Sequence, residues 1–190
     1  MGWINVNGKN VYKQEKGSNC GPACVVMVIR LMTGKQFNTS YVETAFGREE
    51  GSVHMSRDGR REFENSGSVG GILGTVLSRY TGKPWRNMKN PQYLKKYMEL
   101  AKAGEPAVLG ISWNHAWNGA SWEDISDEDA GHWIVLSGKI GDNYQILDPG
   151  GITSTLPTIK YAGPYKVGYS NVDGTKNWMS GEIDSIITYK

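Results

Sequence analysis

Cys20 stands in the run Gln14-Glu15-Lys16-Gly17-Ser18-Asn19-Cys20-Gly21-Pro22-Ala23, directly ahead of a strongly apolar stretch. Far downstream come Gly131-His132-Trp133-Ile134-Val135 and then Ile146-Leu147-Asp148-Pro149-Gly150. A thiol, an imidazole and a carboxylate are the parts of a nucleophile, its base and the group that orients the base. The reactive form of the thiol is the thiolate. A helix start favours that charge through its dipole and its unpaired N–H groups, and Cys20 falls at such a start. Attack on an amide creates an oxyanion, and each donor aimed at it is worth about 3–4 kcal/mol. The side-chain NH2 of Gln14 and the backbone N–H of Cys20 are the candidate donors.

His132 starts an apolar strand pattern and Asp148 ends the next one. Gly138, Gly141, Asp142 and Asn143 lie between them and are turn formers. A hairpin centred on Ile140 sets the two side chains directly opposite, with Cβ atoms about 5 Å apart. A centre on Gly141 makes Asp148 a diagonal neighbour instead. In either register a carboxylate reaches the imidazole and fixes its tautomer. Asn143 is a weaker orienting candidate because it sits in the turn. Taken singly, each residue has an ordinary explanation: a buried thiol, a surface glutamine, a core histidine beside a turn-capping Asp-Pro-Gly.

Trp113, His115 and Trp133 are the candidates for lining a substrate cleft. His54 sits in a charged segment and suits catalysis less well. Cys24 lies one helical turn past Cys20 in an apolar run and reads as core packing. Side chains stacked on one helix face have the wrong geometry for a disulfide, so both cysteines are read as thiols. No tight ligand spacing suggests a zinc site, and neither a metal nor a cofactor is expected.

The elements that must hold these residues follow from periodicity. Residues 21–33 are apolar nearly all round, the mark of a buried central helix. Pro22 suits its first turn, and Gly34 is a natural stop. A second helix is expected over about 39–46, a third from a Ser68 cap to Tyr80, and a fourth from Gln92 to Ala103 behind Pro91, closed by Gly104. Residues 47–67 are charged and aperiodic and read as a long loop. Residues 1–18 read as a lead-in strand or extended segment. After residue 105 the pattern turns to strands, at 106–111, about 132–137 and 144–148, with further short strands to the end. Residues 113–130 read as an interruption rich in tryptophan and acid, whose acidic cluster at 123–129 is either a solvated loop or a lid or partner-recognition element. Helices first and strands later indicate an α+β fold.

The chain of 190 residues suits one domain, 1–190. A net charge of +2 gives no footprint for nucleic acid or an anionic membrane. No apolar run approaches eighteen residues and no signal peptide is visible. Two cysteines are too few for a disulfide scaffold. The expected setting is cytoplasmic, or delivered into a target cell without a visible signal peptide.

Taken together, these segments resemble the bacteriocin-processing peptidases, papain-like enzymes that cut after double-glycine leaders. That pattern has Gln, then Cys-Gly six residues on, then an apolar helix; later come a His-aromatic strand and an Asp-Pro closing the next strand. Gln14 with Cys20-Gly21, His132-Trp133 and Asp148-Pro149 match it in order and spacing. The resemblance covers roughly residues 10–36 and 104–151. It implies a papain-like α+β fold, with the cysteine helix in an N-terminal helical part and the histidine and aspartate on a C-terminal antiparallel sheet. It also implies Cys20 as nucleophile, His132 as base and acid, Asp148 as orienter and Gln14 as oxyanion donor, with a protein or peptide as substrate. The segments 47–67, 113–130 and 151–190 depart from the pattern.

A compact free-standing domain also resembles the papain-like toxin modules of bacterial secreted polymorphic toxins, which implies a cognate immunity protein. The expected activity is thiol endopeptidase, with a Gly-Gly motif before the cut. The alternatives are deamidation, transglutamination or acyl transfer by the same triad. A non-enzyme alternative is a binding module on a degenerate peptidase fold.

Overall fold

A computed structural model describes residues 2–14, 19–50, 70–89, 91–100, 104–117, 121–124, 131–150, 156, 158–159, 165–170 and 176–190. The chain opens with a hairpin of β1 (Trp3–Val6) and β2 (Lys9–Tyr12). Asn7 and Gly8 form its turn, both at positive φ, the chemistry a two-residue hairpin requires. Four helices follow: α1 (Cys20–Thr33), α2 (Ser40–Glu50), α3 (Gly70–Thr81) and α4 (Pro91–Leu100). The short β3 (Arg86–Met88) separates α3 from α4. The remaining strands are β4 (Ala107–Trp117), β5 (Trp122–Asp124), β6 (Gly131–Ile140), β7 (Asn143–Leu147), β8 (Thr158–Ile159), β9 (Tyr165–Ser170) and β10 (Lys176–Thr188).

β3 to β10 form one antiparallel sheet in the order β3-β10-β4-β6-β7-β8, with β5 joined to β4 and β9 to β10. Successive residues of a strand face opposite sides, and here each side has its own apolar core. Val108 and Val135 join α1, α2 and α3 on one side. Leu109, Ile111, Ile134 and Leu136 join Leu94 and Met98 of α4 on the other.

Several expected elements change. α2 runs to Glu50, so the first residues of the expected 47–67 loop are helical; Arg and Glu are good helix formers even without an apolar stripe. The rest of that loop, with His54, lies outside the described residues. The expected interruption at 113–130 is in part strand: β4 continues to Trp117 and β5 pairs back on it. Aromatic residues favour strands, and the neighbouring acids obscured that signal. Asp127, Glu128 and Asp129 lie outside the described residues. The last strand is not short. β10 has 13 residues and lies inside the sheet between β4 on one edge and β9 and β3 on the other. Ser68 and residues 101–103 lie outside the described residues, so α3 is described from Gly70 and α4 to Leu100. No described helix is long and apolar enough to cross a membrane.

Candidate active site

Cys20 is the first residue of α1. The N-cap Asn19 makes no side-chain cap bond, and the first turn holds no acid. Those two absences leave the positive helix end to the thiol. At the other end Gly34 sits at φ 73° and donates its N–H to Arg30 O at 2.8 Å, closing the helix. Cys20 is 5% exposed. Burial pushes its thiol up, but the hydrogen bond and charge of His132 and the backbone N–H groups of Trp133 and Gly21 outweigh that. The thiol therefore sits below its ordinary value. Cys24 behaves oppositely: it is fully buried, and burial first, then the nearby charges of Cys20 and Asp148, push it well up. It is a core thiol, as expected, and both cysteines are free.

His132 lies on β6 opposite Ile111, and Trp133 opposite Gly110. The hairpin register pairs Val135 with Leu147 and Ile140 with Asn143, with a bulge between Leu136 and Gly138. This is the register centred near Gly141, not on Ile140. Asp148 follows the last β7 residue and takes the diagonal position. It still reaches: His132 Nε2 donates to Asp148 Oδ1 at 2.8 Å. The same oxygen accepts the Gly150 N–H at 2.7 Å, so the Asp-Pro-Gly turn itself aims the carboxylate. Asp148 is wholly buried. Burial alone would lower the His132 pKa; the charge and hydrogen bond of Asp148, then those of Cys20, raise it to about 10. With Nε2 committed to Asp148, Nδ1 is the imidazole atom left for the thiol.

Gln14 donates its backbone N–H to Pro149 O at 2.9 Å. That bond ties the segment before the cysteine to the turn that carries Asp148. The Gln14 side-chain oxygen is buried, so its amide is directed inward. Trp113, expected to line a cleft, is 7% exposed and stacks on His132 with ring centroids 5.6 Å apart and planes at 23°. It packs on the imidazole rather than lining an open cleft. Trp133 is half-buried. His115 pairs with Ser180 and Asp124 across a bulge at Asn114, and its side chain is outside the description.

Helix start, thiol, imidazole and carboxylate thus meet at one place, on a sheet backed by an apolar helix. No family model matches the sequence, and no curated protein does. Solved structures do. One is described as a putative C39-like peptidase from Bacillus anthracis, at 15% identity, covering 88% of this chain and 90% of that one, with a TM-score of 0.51. The fold is that of the C39-like peptidases. The peptidase domain of Streptococcus ComA, described as a bi-functional ABC transporter involved in a quorum sensing pathway, aligns at 16% identity over 88% of this chain and 95% of that one, with a TM-score of 0.47. At such identities the likeness is one of fold. Within this papain-like α+β framework, the thiol's contacts with the N–H groups of Trp133 and Gly21 were not legible beforehand, because a main-chain donor carries no sequence signal.

Proposed function

We propose that the chain is a cysteine endopeptidase in which Cys20, His132 and Asp148 act as nucleophile, acid–base and orienting group. The observation that carries this reading is the placement of His132 between the Asp148 carboxylate and the Cys20 thiol. A thiol held low beside an imidazole held high favours the thiolate–imidazolium pair. The thiolate attacks the substrate carbonyl, and the Gln14 amide and the Cys20 N–H receive the oxyanion. The imidazolium gives its proton to the departing amine as the C–N bond breaks and the thioester forms. His132 then takes a proton from water, which releases the acid and the thiolate. Asp148 keeps its proton affinity in service of the ring and does not itself carry the transferred proton.

The reading extends to a cut after Gly-Gly. Trp133, whose backbone N–H reaches the sulfur, has its ring packed so closely on Gly70 and Gly110 that a Cβ on either would stand 3.0 Å from it. A substrate without side chains at the cut passes such a floor most easily. A role as a toxin or effector is a further extension, and predicts growth arrest in a target cell that depends on Cys20.

The test is intact-mass analysis of a proteome digest with wild type beside Cys20→Ala. New termini confined to wild type, preceded by Gly-Gly, are the expected result. A Cys20-dependent mass change without new termini would transfer the chemistry to deamidation or acyl transfer. No Cys20-dependent change would end the enzyme reading.

A further inference from the structure

The α1 side of the sheet carries a fixed acidic group that the triad chemistry does not use. In β10, Ile183 pairs with Ile111 and Ser185 with Gly110, so Asp184 is the extra residue of a bulge. A bulge re-aims a side chain out of the regular alternation. Asp184 is exposed, yet both of its oxygens are held. Ser112 Oγ donates to Oδ2 at 2.7 Å and Ser185 Oγ to Oδ1 at 2.7 Å. Ser185 is 2% exposed, which anchors the arrangement from below. The carboxylate is therefore pointed before any ligand arrives.

Its neighbour is the indole of Trp133. A Cβ on Gly110 would stand 2.7 Å from Asp184 Oδ1 and 3.0 Å from Trp133 Cζ3. The missing side chain at 110 lets acid and ring lie together. Trp133 is also the residue whose N–H reaches the Cys20 sulfur. Trp133 thus links the two groups: its backbone N–H reaches the sulfur, and its ring edge lies beside the carboxylate over Gly110. His132 must deliver its proton to the leaving nitrogen, and by strand alternation it lies on the Ile111–Trp113 side of the sheet, while Trp133 lies on the other. On the cysteine peptidase reading, the acyl half of a substrate is assigned to the Trp133 side.

We propose that Asp184 and the Trp133 ring select a Lys or Arg side chain at the third or fourth residue before the scissile bond, ahead of the Gly-Gly pair. An extended chain advances about 3.3 Å per residue, so two steps, from the first residue before the bond to the third, match the length of an indole. A cation over an aromatic face and against a carboxylate gains from both contacts. Ser112 and Ser185 are positioning residues that hold the acid. The direction of the site rests on the cysteine peptidase reading.

Tetrapeptidyl chloromethyl ketones ending in Gly-Gly and carrying either Lys or norleucine at the third or fourth residue before the ketone test this without amide turnover. The thiolate forms a C–S bond as chloride leaves, and the intact mass reports the rate. At one position the Lys probe should label Cys20 about tenfold faster than its norleucine twin. Asp184→Asn should cut that advantage below twofold while leaving the iodoacetamide rate at Cys20 unchanged, which shows the thiolate and fold intact. Asp184→Lys should reverse the order in favour of a Glu probe. No Lys advantage at any position, an advantage that survives Asp184→Asn, or no peptidyl labelling of an iodoacetamide-reactive Cys20 would each overturn the proposal. If substrates are cut while the Lys advantage is absent, only the Asp184 proposal falls. If the advantage is present and nothing is cut, only the peptidase reading falls.

Discussion

Cys20 and His132 are both buried, a condition that by itself would keep each of them neutral. What reverses this is the hydrogen bond and charge between thiol and imidazole, and the Asp148 carboxylate behind the ring. The thiol titrates below its ordinary 9.0 and the imidazole near 10, so the ion pair occupies the interval between. The expected alkylation profile for Cys20 rises with pH at an inflection below 9.0. His132→Ala removes the leading lowering influences and should move that inflection up. Asp148→Asn removes the leading raising influence on His132, so the upper limb of peptide turnover should shift down from about 10. Turnover should fall about 10²- to 10⁴-fold, the usual span for a misdirected acid–base group. Iodoacetamide kinetics and a pH–rate series check both, and an unmoved inflection in His132→Ala would refute the pair. Side-chain identity made Cys20, His132, Asp148 and Gln14 legible in the sequence, because few residue types do this chemistry. Asp184 was not legible, since its aim depends on a bulge and on serines distant in the chain.

At the scale of elements, α1 was readable because it is apolar all round and ends on Gly34. The length of β10 was hidden, because Gly181, Glu182 and Asp184 interrupt its apolar pattern. The glycine has a steric reason. A Cβ at Gly181 would meet the Ser112 carbonyl oxygen at 2.3 Å and the Trp113 ring at 2.9 Å. Backbone cannot give way as a flexible side-chain tip can. Gly181→Ala should therefore cost about 1–3 kcal/mol or more and push Trp113 off the His132 ring. Gly74, inside α3, is the contrast. Its nearest contact would be 3.5 Å, an ordinary distance, so Gly74→Ala should gain up to about 1 kcal/mol from helix propensity. Thermal melting separates the two, and Cys20 alkylation should slow only in Gly181→Ala. Equal melting temperatures would mean the strand crossing at Gly181 is looser than its contacts imply.

For the whole molecule, the sheet is the shared wall of two cores. β4 sends Val108 to the α1 side and Leu109 to the α4 side, and β6 does the same with Val135 and Ile134. Neither core can lose its wall without the other losing it too. The proposed catalytic parts straddle that wall: Cys20 comes from α1, and His132 stacks on Trp113 of the α4 side. We therefore expect residues 1–190 to unfold as one cooperative unit. Leu73→Ala, in the α1–α3 core, and Met98→Ala, in the α4 core, remove fully buried side chains. Each should cost about 2–5 kcal/mol. The decisive measurement is urea unfolding followed by far-ultraviolet dichroism, tryptophan fluorescence and Cys20 alkylation. Coincident transitions in all three signals, moved together by either substitution, are the two-state outcome. A Met98→Ala protein that loosens the α4 side while Cys20 keeps its rate would show that the wall transmits nothing, and that the cysteine helix stands without the face that holds its histidine.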